Sequence, residues 1–181
     1  MSLVRTLVVV LAVLSLEALP VYAKVFYSRQ EAIALAFPDA DRVDKQTIIL
    51  TPAQATAIEA RSRAKLDSKL VTIFTAWRGE EVLGYAHIDL HTVRTHASAL
   101  LVVLNPGGDV RAVRILAFHE PLDYLPSKKW YAQFAGKTGE DRLRVGSDVH
   151  GVVSATLSTR AATDGIRRAL AYHALLIDPG D

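Results

Sequence analysis

The chain has 181 residues, 50% of them hydrophobic, with Lys+Arg 21 against Asp+Glu 19 and no cysteine. This length and balance exclude a disordered or low-complexity polymer and point to one domain with at most an appendage. The missing cysteines exclude a disulfide framework, a Cys zinc site, a thiolate-held iron–sulfur cluster, c-type haem attachment and a thiol nucleophile. A net charge of +2 without a dense Lys/Arg stripe gives no argument for a nucleic-acid partner.

The N-terminus reads as an export signal. Arg5 supplies a positive start, and Leu7 to Leu16 is an apolar run interrupted only by Ser15. Glu17 and Pro20 break the run, and Val21-Tyr22-Ala23 fits the small-residue cleavage rule. The run is shorter than the roughly 20 apolar residues of a spanning helix. Extended to Ala23 and left uncleaved, it would be a membrane anchor; that is the alternative. Cleavage of residues 1–23 leaves 158 residues, Lys24 to Asp181, in a periplasmic or otherwise extracytoplasmic compartment. A cysteine-free exported domain must be stabilised by its core, and this length suffices for one.

Ser28-Arg29-Gln30-Glu31 is a capping box that predicts a helix to about Phe37, ended by Pro38. Thr51-Pro52-Ala53-Gln54 is a second, with Pro in the first helical position, opening a largely solvent-facing helix to about Leu66. Strands follow at Lys69 to Trp77, Glu81 to Ile88, Ala97 to Leu104 and Val110 to Phe118. Short turns, among them Asn105-Pro106-Gly107-Gly108-Asp109, join them and favour antiparallel pairing. Ser127 to Phe134 predicts a short helix carrying Trp130 and Phe134, and Gly136 to Gly146 a polar loop. Ala162, Ile166, Ala169, Leu170, His173 and Ile177 recur at helical spacing and predict an amphipathic helix over about Ser158 to Leu176. The expected architecture is α+β: a curved antiparallel sheet of about four or more strands, packed with N-terminal helices and a long C-terminal helix.

The chemistry points to His150-Gly151-Val152-Val153-Ser154-Ala155-Thr156-Leu157-Ser158-Thr159-Arg160-Ala161. This small, hydroxyl-rich stretch leads straight into the last helix. A helix start presents unpaired N–H groups and the positive end of its dipole, which suits a phosphate. Thr156, Ser158 and Thr159 place hydroxyls there, and Arg160 could face the same anion. Ordinary helix capping by Ser or Thr explains the same residues without a ligand.

The stretch resembles the flavin-attachment motif of the FMN-binding domain family, which includes the flavin subunits of Rnf- and Nqr-type complexes and related exported flavoproteins. The family pattern runs Asp, Gly or Ala, any residue, Ser or Thr, Gly, Ala, Thr. Gly151, Ala155, Thr156, Leu157, Ser158 and Thr159 match it, whereas His150, Val153 and Ser154 depart from it. Gly84-Tyr85-Ala86, Ala99 to Gly108, and Phe118 to Tyr124 followed by Trp130 and Gln133-Phe134 are similar to other segments of these proteins, in the same order.

The resemblance implies an electron-transfer flavoprotein in which a flavin transferase joins the phosphate of FMN to Thr156 as a phosphoester. Ser154, Ala155, Leu157, Ser158 and Thr159 would surround that phosphate, and Glu120, Tyr124 and Trp130 would bound the flavin ring. Partners would be the transferase and electron donor and acceptor proteins, soluble or membrane-bound. No catalytic residue or metal site is assigned. The alternative is a non-covalent FMN-binding or flavin-free adaptor module of the same fold. A third reading is a flavin-dependent periplasmic reductase.

His87 and His91 share a strand face without His96, and no acidic ligand pattern is evident. His173 reads as a hydrogen-bonded core histidine. Gly151 to Ala155 lacks the second Gly of a nucleophile elbow, and no phosphate-binding Gly-rich loop is present.

Overall fold

Six antiparallel strands form one sheet in the order β1-β6-β5-β4-β3-β2, as seen in a computed structural model that describes residues 24–178. The strands are β1 (Lys24–Val25), β2 (Arg42–Ile49), β3 (Leu70–Arg78), β4 (Glu81–Val93), β5 (His96–Leu104) and β6 (Val110–Phe118). The helices are α1 (Arg29–Ala36), α2 (Pro52–Ser62), α3 (Lys128–Ala132) and α4 (Thr156–Tyr172), the last continuing as a π turn over His173–Ile177. The expected α+β class, antiparallel sheet and long C-terminal helix are present. The N-terminal signal lies outside the described residues. Among the described residues no helix is long and apolar enough to cross a membrane.

Local chemistry sets the element ends. Ser28 Oγ accepts the Glu31 N–H at 3.2 Å and the Ser28 N–H reaches Glu31 Oε2 at 2.8 Å, so both expected donors at the start of α1 are satisfied. Thr51 and Gln54 repeat this reciprocal pair at the start of α2. That helix stops at Ser62, before the expected Leu66, because Arg63 turns left-handed at φ 53°. The Glu59 carboxylate then accepts the Leu66 N–H at 2.9 Å and folds the following residues back. At the β5–β6 turn, Gly108 takes φ +86°, which an L side chain resists, and its N–H donates to the Asn105 carbonyl.

Strand alternation sends side chains to two faces, each covered by helices. On the first face Leu100, Val102, Leu104 and Val110 pack with Ile166, Ala169 and Leu170 of α4 and with Trp130, Tyr131 and Phe134 around α3. Each such large side chain contributes about 1.5–3 kcal/mol when fully buried. On the second face Phe74, Ala76, Ala86, Leu101, Val103 and Leu116 pack against Ala32, Ile33 and Phe37 of α1. A third cluster joins Ile58 of α2 and Val71 and Ile73 of β3 to Ala171 and Tyr172.

Two of the longer strands differ from the expected elements. Strand β2 was not anticipated: it is an edge strand, exposed along nearly its whole length, so no burial alternation marks it. Strand β4 runs five residues past Ile88, to Val93. That extension carries Asp89 and His91, which lie on the α4 side of the sheet and satisfy each other there.

The Asp89 carboxylate is the polar centre of the sheet–helix contact. Its Oδ1 accepts Arg168 Nε at 2.9 Å, and its Oδ2 accepts Arg168 Nη2 at 2.9 Å and lies 2.8 Å from His91 Nδ1. Arg168 Nη1 reaches the Lys65 carbonyl at 3.1 Å. All three side chains are buried. Gly165, one turn earlier on α4, lies so close that a Cβ there would overlap Asp89 Oδ2 and stand 2.8 Å from its Cγ.

Candidate functional site

The attachment-like stretch forms the entrance to α4. Val153–Ala155 makes one 3-10 turn, and Thr156 is the first residue of the 17-residue helix that follows. No side chain caps this helix: Ala155 stands at the N-cap position and offers no hydrogen-bond acceptor. The positive end of the α4 dipole therefore meets no side-chain cap, and the 3-10 turn of Val153–Ala155 leads directly into it. This differs from α1, α2 and α3, where Ser28, Thr51 and Ser127 each accept a backbone N–H of the first turn.

The expected hydroxyls separate into two sets. Thr156 is exposed, and its Oγ1 makes only long back-bonds to the Val153 and Val152 carbonyls, at 3.3 and 3.4 Å. Ser154 is exposed as well, and so is Arg160. Ser158 and Thr159 are buried: Thr159 Oγ1 donates to the Thr156 carbonyl at 2.9 Å, and Ser158 Oγ has no partner among the described residues. Helical periodicity explains the split, since positions 155, 158, 159 and 162 face the core while 156, 157 and 160 face out.

Beside Thr156 two apolar side chains reach solvent alongside the exposed Ser154 and Arg160. Val153 is 100% exposed and Leu157 51% exposed. The 3-10 turn Leu122–Tyr124 packs against Val153–Ala155, bringing Tyr124 and the half-exposed Leu122 to the same end of the molecule. The Arg94 guanidinium covers the Tyr124 ring at 4.9 Å.

Glu120 and Trp130 hold other positions. Glu120 is buried, and its Oε1 accepts the Thr95 N–H at 2.9 Å and the His96 N–H at 3.0 Å, closing the β4–β5 hairpin. Burial pushes its carboxyl up, but the Thr95 and His96 hydrogen bonds outweigh that and leave it below the usual carboxylate range. Trp130 is buried edge-on against Tyr131 and Phe134, and its Nε1 donates to the His150 carbonyl at 2.6 Å. It anchors the attachment-like loop from beneath. Of the three residues assigned to a ring, Tyr124 lies beside the open surface.

The motif departures acquire definite surroundings. Ser154 sits in the 3-10 turn and is not among the residues with positive φ, so a side chain there meets no backbone strain. His150 is exposed and held through its backbone, its N–H donating to Gln133 Oε1 at 2.8 Å. Asp148 does not replace the missing acid. Its two oxygens accept the Leu143 and Arg144 N–H groups, each at 2.7 Å, and fix the loop.

Elsewhere, His87 and His91 do share the α4-facing side of β4. Among the described residues no three His, Cys, Asp or Glu side chains converge as a metal site. His173 is buried, stacks edge-on with Tyr85 and places Nε2 3.3 Å from the Pro106 carbonyl. The Asp89–Arg168 pair escaped the sequence reading, because its members are 79 residues apart and only the fold brings them together.

No protein-family model matches the chain. A search of curated proteins returns no match either.

Proposed function

We propose that this is an exported electron-transfer flavoprotein whose FMN is joined to Thr156 through a phosphoester. One observation carries the reading: Thr156 offers an exposed hydroxyl at the uncapped start of a 17-residue helix. The fit to FMN rests on chain features alone. An exposed hydroxyl, a helix start with no side-chain cap and the exposed Val153 and Leu157, with Tyr124 on the neighbouring 3-10 turn, suit a phosphate next to a planar aromatic ring.

Thr156 Oγ1 would displace the leaving group of an activated flavin phosphate in the transferase, its proton passing to a base there. The start of α4 would then hold the phosphate oxygens, and the exposed Arg160 would add its charge. Val153, Leu157 and Tyr124 would support the ring at the surface. Bound flavin would supply one- or two-electron chemistry, and the chain would tether it and adjust its potential. A ring laid on the surface is open to donor and acceptor proteins, which favours a carrier over an enzyme enclosing its own substrate.

His150 in place of the usual Asp favours a second reading, a non-covalent FMN-binding or flavin-free adaptor of the same fold. Export of the protein in a host containing its flavin transferase, followed by intact mass and peptide mapping, separates the two. The proposal expects FMN mass on the peptide holding Thr156 and none in Thr156→Ala. An unmodified chain, with the transferase active on another substrate in the same cells, overturns covalent attachment. N-terminal sequencing of the same material tests cleavage after Ala23.

A further inference from the structure

A second site lies on the opposite face of the sheet from α4. Helix α1 covers the second face only in part, and between it and the β2–β3 edge runs a groove of about 460 Å3. That volume falls within the range of about 300–1,000 Å3 typical of small-molecule sites. Ile33, Phe37, Phe74 and Val43 make the floor, with Ala34 and Ala40 beside them. No side chain among these can donate or accept a hydrogen bond.

The walls are cationic. Arg29 stands on the helix side, and Arg42 and Lys45 stand on the strand side. Arg42 is engaged, 3.2 Å from Asp44 and over the Trp77 ring. Arg29 and Lys45 are exposed and form no ion pair among the described residues. The lining also holds Gln30 and one acid, Asp41, which accepts the Gly79 N–H at 2.8 Å and keeps its charge, so the balance of the lining stays positive. Two uncommitted cations therefore flank an apolar channel from both sides.

We propose that this groove binds a free long-chain carboxylate, its aliphatic chain on Ile33, Phe37, Val43 and Phe74 and its head between Arg29 and Lys45. Charge complementarity selects an anion, and the hydrogen-bond-free floor selects a saturated chain over a heteroaromatic ring. The site is independent of the flavin reading.

Isothermal titration of the purified protein with decanoate, dodecanoate and tetradecanoate, each below its micelle concentration, tests the proposal. Binding should be one to one and strengthen about fourfold for each CH2 buried. The alcohol of equal length should bind about tenfold more weakly, and so should the carboxylate to the double variant Arg29→Glu/Lys45→Glu. Both substitutions are exposed, so the unfolding midpoint should hold, and Thr156→Ala should bind as the parent does. Absence of binding, equal affinity for alcohol and carboxylate, or an unaffected double variant overturns the proposal. So does binding confined to anionic phospholipid vesicles, which marks a membrane surface, or loss of a dimer in the double variant, which marks a contact between copies.

Discussion

Arg168 grips Asp89 with two nitrogens, Nε on Oδ1 and Nη2 on Oδ2, both at 2.9 Å, inside the contact between α4 and β4. Two buried charges cost desolvation, and good geometry with further hydrogen bonds offsets it. Removing one partner leaves the other charged and buried. Asp89→Ala is therefore expected to lower stability by about 3–5 kcal/mol, read from urea denaturation. The double variant Asp89→Leu/Arg168→Met should recover much of that loss. A single variant within about 1 kcal/mol of the parent would contradict the clamp.

Gly165 tests the same contact from the helix side. Ala is the better helix former by about 1 kcal/mol, so an unhindered Gly165→Ala would stabilise α4. Here the new methyl would overlap Asp89 Oδ2 and crowd its Cγ at 2.8 Å. Overpacking of this kind costs about 1–3 kcal/mol, so a net loss of stability is expected. A raised unfolding midpoint would show that the helix stands farther from β4.

Acid should weaken the fold in two stages. Burial lowers the His87 pKa despite the Nδ1 contact with the Thr72 carbonyl at 2.9 Å and the nearby Asp89 charge. A depressed folded pKa contributes stability that is present above the unfolded value, about 6.5, and is lost as pH falls toward the folded one. Burial pushes Asp89 up, but the His91 hydrogen bond and the Arg168 charge outweigh it, so its pKa too is lowered. Its contribution is lost below an unfolded value of about 3.9. Urea midpoints should thus decline from pH 6.5 downward, with His87→Gln flattening the first stage. A flat profile between pH 7 and 5 in the parent would contradict the His87 account.

Glu120 separates a structural role from a flavin role. Glu120→Ala removes the acceptor for the Thr95 and His96 N–H groups and is expected to cost about 1–3 kcal/mol. If the chain carries flavin as proposed, flavin content and reduction potential per folded molecule should stay at the parent's values. A shifted potential with unchanged stability would instead put this carboxylate at the ring.

The central sheet was legible because β3 and β5 bury runs of apolar residues, and β6, opened by a strong turn, spans the expected Val110–Phe118. Strand β2 was not legible: RVDKQTII is mostly exposed and contributes pairing rather than core. The end of β4 was hidden by polar residues whose partners come from α4, 79 residues away. At the candidate site the hydroxyl-rich entrance to α4 was readable from its spacing. Which hydroxyls point outward was set by the helix beginning at Thr156, two residues before the expected start. The hairpin duty of Glu120 was out of reach, because it depends on two N–H groups across a turn.

The Asp89–Arg168 clamp and Thr156 lie at different distances along one rod. Thr156 precedes Arg168 by twelve residues, roughly 18 Å at 1.5 Å per residue. The first turn has no side-chain cap to hold it, while the turns at Gly165 and Arg168 are pinned to the sheet. Fraying can therefore start at Thr156 and stop before the clamp. Under the proposed attachment, a modifying enzyme would peel open this turn, reach around the hydroxyl and release it, while the rest of the helix keeps its seat and guides the turn back to the same place.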